Sequence, residues 1–318
     1  MAYILLIVGF VLLIKGADLF VDGSSNIARA LRISPLVIGL TIVSLGTSSP
    51  EATISIIAAL EENTGVALGN VVGSNILNTS LVVGIAAFIY PLKVQSETIK
   101  KEIPFALLAT IVLLILVSDV PLQGATENLL TRGDGFIILL FFAIFLYYVF
   151  EVARNNRESI KEEEAEQKPT SWKKNILLTL AGLFGIILGG ELVVKNATAI
   201  ALSLGMSQTL AGLTIVAIGT SLPELITSAT AALKKETEIA LGNIVGSNIF
   251  NIFFVLGTTA SIHPLVVNSE IIFDIIVMVL LTITLLIFSR TSFEVGKLEG
   301  VFLVISYLFY LTFIIFRN

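Results

Sequence analysis

Two glutamates, Glu51 and Glu224, stand inside stretches that are otherwise apolar enough to cross a membrane. Each ends a hexapeptide, "GTSSPE" from Gly46 and "GTSLPE" from Gly219. A carboxylate at mid-membrane costs about 2.5–3.5 kcal/mol on insertion scales, so such a group faces a polar interior and has a use. The central spans contain no lysine or arginine to pair with either one. Bound cations or protons are what remains to neutralise them. The proline before each glutamate has no N–H for the carbonyl four residues back, and its ring pushes that carbonyl aside. Gly46 and Gly219 loosen the same turn. The expectation is two interrupted helices with freed backbone oxygens beside a carboxylate, an arrangement tolerated at this depth where it lines a cavity.

Helical spacing collects more oxygen on the same faces. Ser44, Thr47, Ser48, Glu51 and Ser55 follow at three- and four-residue steps, as do Ala217, Thr220, Ser221, Glu224 and Ser228. In the next apolar segments Ser74 and Asn78 are one turn apart, as are Ser247 and Asn251. Beside them Gly69 and Gly73, and Gly242 and Gly246, form small-xxx-small pairs that admit a neighbouring helix. The ligands gathered are carboxylate, hydroxyl, amide and carbonyl oxygens. The chain has no cysteine, and its single histidine, His263, lies next to Pro264 as an interfacial residue. An all-oxygen set selects hard cations. Calcium takes about six to eight oxygens in flexible geometry, whereas magnesium dehydrates reluctantly. Sodium is similar to calcium in size, so one site suits both. Paired carboxylates also serve hydrolases, but acid–base work needs two differentiated groups. Symmetric glutamates offer none, so no enzyme activity and no cofactor are expected.

The elements that must position these residues are membrane helices. The 318-residue chain is 55% hydrophobic and 14% charged, with mean hydropathy +0.96. A span needs about 20 apolar residues. Candidate spans run over 2–21, 35–60, 65–90, 103–119, 134–153, 174–194, 208–233, 238–262, 270–289 and 298–316. The fold class is therefore an all-α polytopic membrane protein, and the alternating short strands of a β-barrel are absent from the pattern. The net charge of −5 comes without a basic stripe, which leaves no nucleic-acid partner. The partners expected are calcium and sodium ions and the lipid bilayer, with the chain acting as a monomer.

Sliding the chain against itself by 173 residues reveals a duplication. "GLTIVSLGTSSPEATISIIAAL" from Gly39 meets "GLTIVAIGTSLPELITSATAAL" from Gly212, and "ALGNVVGSNILN" from Ala67 meets "ALGNIVGSNIFN" from Ala240. The halves are 1–153 and 174–318, joined by a polar linker at 154–173. Five spans per half return the chain to the opposite side, so the second half enters the bilayer inverted, with the site near the midplane between the halves. With both termini outside, the outer loops keep only Arg132, Lys195 and Arg317 of the 19 basic residues. The positive-inside rule thus predicts extracellular termini, a cytoplasmic linker and a plasma-membrane location. A single-chain inverted repeat also argues against a passive channel. Asp18 and Glu191, at matching ends of the first and sixth spans, read either as interfacial charges near Lys15 and Lys195 or as contacts that hold one access state.

"GTSSPE" with "GNVVGSNILN", and "GTSLPE" with "GNIVGSNIFN", resemble the two alpha-repeats of the cation/calcium exchanger superfamily, most nearly its prokaryotic sodium/calcium exchangers. The resemblance spans essentially the whole chain and implies ten helices with four at the centre. It implies a secondary antiporter exchanging sodium for calcium, in which the first and sixth helices slide past the ion-binding core. It makes Glu51 and Glu224 the shared carboxylates, with the carbonyls of Thr47 and Thr220 completing a calcium site. Ser48, Ser221, Ser74 and Ser247, with the carbonyls of Ala217 and Ser44, would serve sodium, and Asn78 and Asn251 would line the centre. Some members carry an acidic residue where this chain has Asn251. That difference bears on the alternatives of proton/calcium or potassium-dependent sodium/calcium antiport.

Overall fold

The computed structural model describes residues 2–94, 96–160, 171–205 and 217–317. The expected helices form, and several carry interruptions. Helix α1 (Ala2–Leu31) opens the chain. The second segment is broken into α2 (Pro35–Ile38), a π-helical turn at Gly39–Val43, α3 (Ser44–Thr47) and α4 (Ser49–Leu60). The third comprises α5 (Thr64–Leu77), a π-helical turn at Asn78–Val82, and α6 (Val83–Ile89). Strand β1 (Leu92–Lys93), α7 (Ser96–Lys100), α8 (Glu102–Leu116), α9 (Asp119–Gln123), β2 (Asn128–Leu130) and α10 (Arg132–Ile160) complete the first half. The second half brings α11 (Trp172–Ser203), α12 (Ala217–Thr220), α13 (Leu222–Leu233) and α14 (Thr237–Phe250). A π-helical turn at Asn251–Leu256 leads into α15 (Gly257–Ile262), followed by β3 (Leu265–Val267), α16 (Ser269–Ser292), β4 (Glu294–Val295) and α17 (Lys297–Arg317).

Among the described residues seven uninterrupted stretches are long and apolar enough to cross a membrane, and the two broken segments and the 15-residue α8 are shorter. The first and sixth helices outrun the sequence expectation. They continue about ten residues past 21 and 194, because polar residues such as Asp22, Ser24 and Ser25 ride on the same helical faces as the apolar ones. Residues 208–216 of the seventh expected span and 161–170 of the linker lie outside the described residues.

Two small strand pairs tie the halves together. β1 pairs antiparallel with β4, and β2 with β3. Paired strands lie on the same side of a membrane, so the chain crosses an even number of times between the members of each pair. Six of the ten expected spans fall between Lys93 and Glu294, and four between Leu130 and Leu265, counts that agree with that parity.

α1 and α11 pack antiparallel along their length through glycines. A Cβ on Gly9 would sit 3.0 Å from the Gly189 carbonyl, and one on Gly16 would sit 2.8 Å from the Gly182 carbonyl. Gly182 and Gly189 follow Gly9 and Gly16 by 173 residues, so the contact is reciprocal about a two-fold axis perpendicular to the helices. The most enclosed element is α14, which packs against α2 and the π-helical turn of the first half.

Candidate functional site

Both hexapeptides fold into the same break. Ser48 (φ −83, ψ 6) and Ser221 (φ −93, ψ 8) leave the helical region, and new helices start at Ser49 and Leu222. Proline is accommodated in the first turn, where its missing N–H leaves no bond unmade. Glu51 and Glu224 thereby fall in the first turns of α4 and α13, where the positive end of the helix dipole favours a carboxylate.

The sequence at each break, S-x-x-E, is that of a capping box, in which the serine hydroxyl caps its own helix. Neither serine does so. Ser48 Oγ instead donates to Glu224 Oε1 at 2.9 Å, and Ser221 Oγ donates to Glu51 Oε1 at 3.2 Å. Each glutamate is thus held by the helix break of the opposite half. Ser221 Oγ is also 3.1 Å from Ser74 Oγ. All of Glu51, Glu224, Ser48 and Ser221 are fully buried.

Several oxygens in this cluster lack a hydrogen-bond partner among the described residues. They are Oε2 of both Glu51 and Glu224, Oδ1 of Asn78 and Asn251, and Oγ of Ser247. Unpaired buried acceptors cost about 1–3 kcal/mol each, more when charged. No ion pair of the described residues involves either glutamate. The two carboxylates, bridged to the opposite halves by Ser48 and Ser221, are fully desolvated and have no compensating cation among the described residues. Such a set suits a hard metal ion and leaves a neutral guest unfavoured. No cluster of three or more His, Cys, Asp or Glu occurs among the described residues. Charge compensation at this centre therefore falls on two carboxylates, with neutral oxygens completing any shell.

The remaining expected residues divide. Thr47 is buried and donates to Asn243 Oδ1 at 3.0 Å. Thr220 is 6% exposed and reaches a cavity. Asn251 Nδ2 donates to Asn75 Oδ1 at 3.2 Å, while neither side-chain atom of Asn78 has a partner among the described residues. Ser44 departs from expectation. Its hydroxyl turns back to Leu40 O at 2.8 Å, and its carbonyl accepts from Ser48 N at 3.0 Å, so that carbonyl is bonded rather than freed. Ala217 opens α12, and its side chain lies outside what the structure describes.

Sequence reasoning missed an asparagine layer beneath the glutamates. Asn243 Nδ2 donates to Ser228 Oγ and Asn70 Nδ2 to Ser55 Oγ, both at 2.9 Å, and Asn70 also donates to the Glu51 carbonyl at 3.1 Å. Asn75 and Asn248 bond across the halves as well. The signal was present in the repeated "GNVVGSN" and "GNIVGSN", whose asparagines recur as faithfully as the serines. The π-helical turns beginning at Asn78 and Asn251 were also missed. Single π turns inside helices often mark functional positions.

A cavity of about 630 Å³ reaches Ser74 and Thr220 from one side. Gly69 and Gly73 line its wall, and Glu270, Asp274, Tyr310 and Arg317 lie towards its mouth. Arg317 holds Asp274 with both nitrogens, at 3.0 and 2.9 Å.

The family model described as sodium/calcium exchanger protein matches residues 1–151 and 174–316. The chain belongs to the sodium/calcium exchanger family. A relative from Alkalimonas amylolytica, provisionally named as the antiporter CaxA, is 42% identical over 318 residues and 97% of each chain. The sodium/calcium exchanger MaX1 of Methanosarcina acetivorans is 32% identical, again over 97% of each. Among solved structures, the sodium–calcium exchanger NCX_Mj soaked with sodium and strontium superposes with a TM-score of 0.84 at 32% identity, covering 98% of this chain and 97% of that one. The expectation of sodium/calcium antiport by a polytopic helical membrane protein is thus borne out at the level of the family.

Proposed function

We propose that this exchanger binds sodium and calcium alternately at the centre between the two halves and exposes that centre to one side of the membrane at a time. The observation that carries this reading is the reciprocal pair of bonds from Ser48 to Glu224 and from Ser221 to Glu51, each leaving one carboxylate oxygen unpaired, with the cavity-lining Ser74 in contact with Ser221. A calcium ion neutralises both carboxylates at once, and sodium ions do so singly, so the two cargoes compete for the same charge. Glu51 and Glu224 are the shared ligands in this scheme. Thr47 and Thr220 supply carbonyls, and Ser48, Ser221, Ser74, Ser247 and Ala217 complete sodium positions. The bonded state of the Ser44 carbonyl makes it the weakest member of the set. Asn78 and Asn251 line the centre.

The cavity opens on the side of β2, β3 and Arg317, and we assign that side as extracellular from the distribution of basic residues. The linker at 154–173 is then cytoplasmic, between repeats at 1–153 and 174–318, in a monomer seated in the plasma membrane bilayer. Exchange involves no chemical turnover, so the protein is a transporter without enzyme activity or cofactor.

The test is radiolabelled calcium uptake into proteoliposomes preloaded with sodium, potassium or protons, each diluted outward separately. Uptake driven by sodium alone is expected. Uptake that follows the proton gradient, or that needs potassium with sodium, would overturn the assigned coupling.

A further inference from the structure

Among the described residues, the side-chain bonds that fasten the α1/α11 pair to the turn after α13 lie at one end. On the β1/β4 side, Lys234 Nζ lies 2.6 Å from Asp18 Oδ1 and 2.7 Å from Asp22 Oδ1, and donates to the Asp18 carbonyl at 2.8 Å. Two residues on, Glu236 accepts from Ser25 Oγ at 2.8 Å and from Arg29 at 2.6 Å. Asp18 thus has, besides its expected neighbour Lys15, a bonded partner 216 positions away, and α1 packs along α13.

The internal two-fold carries this arrangement to the other side. Lys234 maps onto Glu61, Asp22 onto Lys195, Asp18 onto Glu191 and Ser25 onto Thr198. The turns bearing Glu61 and Lys234 have one shape. Glu62 and Lys235 are both left-handed, at φ 59 and 61. Asn63 N reaches the Ala58 carbonyl at 2.7 Å, and Glu236 N reaches that of Ala231 at 2.9 Å. Yet among the described residues no equivalent bond forms here. Glu61, Glu191 and Lys195 are exposed, and α11 makes little contact with α4. The Thr198 hydroxyl is buried with no partner among the described residues, whereas its counterpart Ser25 is bonded.

The signs are reversed between the two ends. At one, a cation on the turn meets anions on the helix. At the other, the equivalent positions hold an anion on the turn and a cation on the helix. We infer that Lys234–Asp22 and Glu61–Lys195 are alternate latches, closed one at a time, that divide the exchanger between its two access states. This rests on the alternating-access reading above. The glycine seam lets α1 and α11 move as one body, so docking at one end accompanies release at the other. The latches are unequal by construction. Lys234 has two carboxylate partners, whereas Glu61 docking on α11 meets Lys195 together with the like charge of Glu191. The ion-free exchanger therefore favours the state in which the Lys234 latch is closed and the cavity beside Gly69 is open.

The chain contains no cysteine, so single reporters can be placed without background. Val66→Cys lies on the open cavity at 46% exposure, and Ile239→Cys is its fully buried counterpart. Maleimide modification rates are measured for each in the full-length protein in proteoliposomes, free of sodium and calcium. An exposed ion pair contributes up to about 1 kcal/mol, or roughly fivefold in an equilibrium. Lys234→Gln is expected to slow modification at position 66 and speed it at 239 by about that factor. Glu191→Gln, which removes the opposing charge, shifts both rates the same way, and Lys195→Gln shifts them in reverse. The charge exchange Asp22→Lys with Lys234→Asp returns both rates towards wild type and serves as the control if Lys234→Gln folds poorly. Shifts of the same sign in Lys234→Gln and Lys195→Gln, or no shift in either, would overturn the latches. Sodium-driven calcium uptake by the parent protein is run on the same vesicles. If exchange is absent, the functional reading fails. If exchange is intact and the reporters do not move, only the latches fail.

Discussion

Helices α5 and α14 share the glycines, asparagines and serine of "GNVVGSN" and "GNIVGSN" at equivalent positions and sit in opposite environments. Around Gly242 and Gly246 the first half closes tightly. A Cβ on Gly242 would stand 2.6 Å from the Leu36 carbonyl, and one on Gly246 would stand 2.7 Å from Ser44 Oγ. Around Gly69 and Gly73 a Cβ would meet nothing within 4 Å among the described residues, because both line the open cavity. One glycine face is a sealed helix contact, and its copy is a wall beside an access route. A repeated sequence therefore encodes two environments.

The comparison breaks most sharply at the carboxylates, where no asymmetry is expected. Glu51→Gln and Glu224→Gln each keep the cross-half serine bond but remove a charge, so both should reduce calcium flux in proteoliposomes to background. A variant that transports normally would remove its glutamate from the site. The glycines come next, and here the halves should part. Gly242→Ala forces a methyl group into backbone and is expected to cost about 1–3 kcal/mol of stability in detergent unfolding. Gly69→Ala meets open space and gains up to about 1 kcal/mol of helix propensity. If the open wall must close during the cycle, Gly69→Ala will also slow exchange while raising stability. Equal destabilisation by the two substitutions would mean that the asymmetry is not present in solution. The smallest effect belongs to the cavity mouth. Arg317→Gln removes the two-pronged hold on Asp274, at a cost of about 1 kcal/mol that shrinks as salt is added, read from unfolding at two ionic strengths.

The interruption at Ser48 and Ser221 was legible because proline and glycine act locally on the backbone. The duplication was legible because it is written in residue identities. The partners of those serines were not legible. A capping-box sequence points each hydroxyl at its own helix, and only the packing of one half against the other offers it a buried carboxylate instead. Asn70 and Asn243 escaped notice for a related reason, since an asparagine in an apolar helix is ambiguous until Ser55 or Ser228 is found opposite it. Asp18 looked like a neighbour of Lys15, and its partner proved to be Lys234, beyond the reach of any helical spacing.

By itself, the sequence determined the class, the approximate extent of the apolar segments and the internal repeat. These follow from transfer energies, helical periodicity and identity, all of which act within a segment. Only the tertiary structure decided how two closely similar surfaces come to be one sealed and one open, because that depends on packing between the halves. Its contacts, such as Lys234 with Asp18 and Asp22, join residues from opposite halves of the chain, which no spacing within a segment can pair.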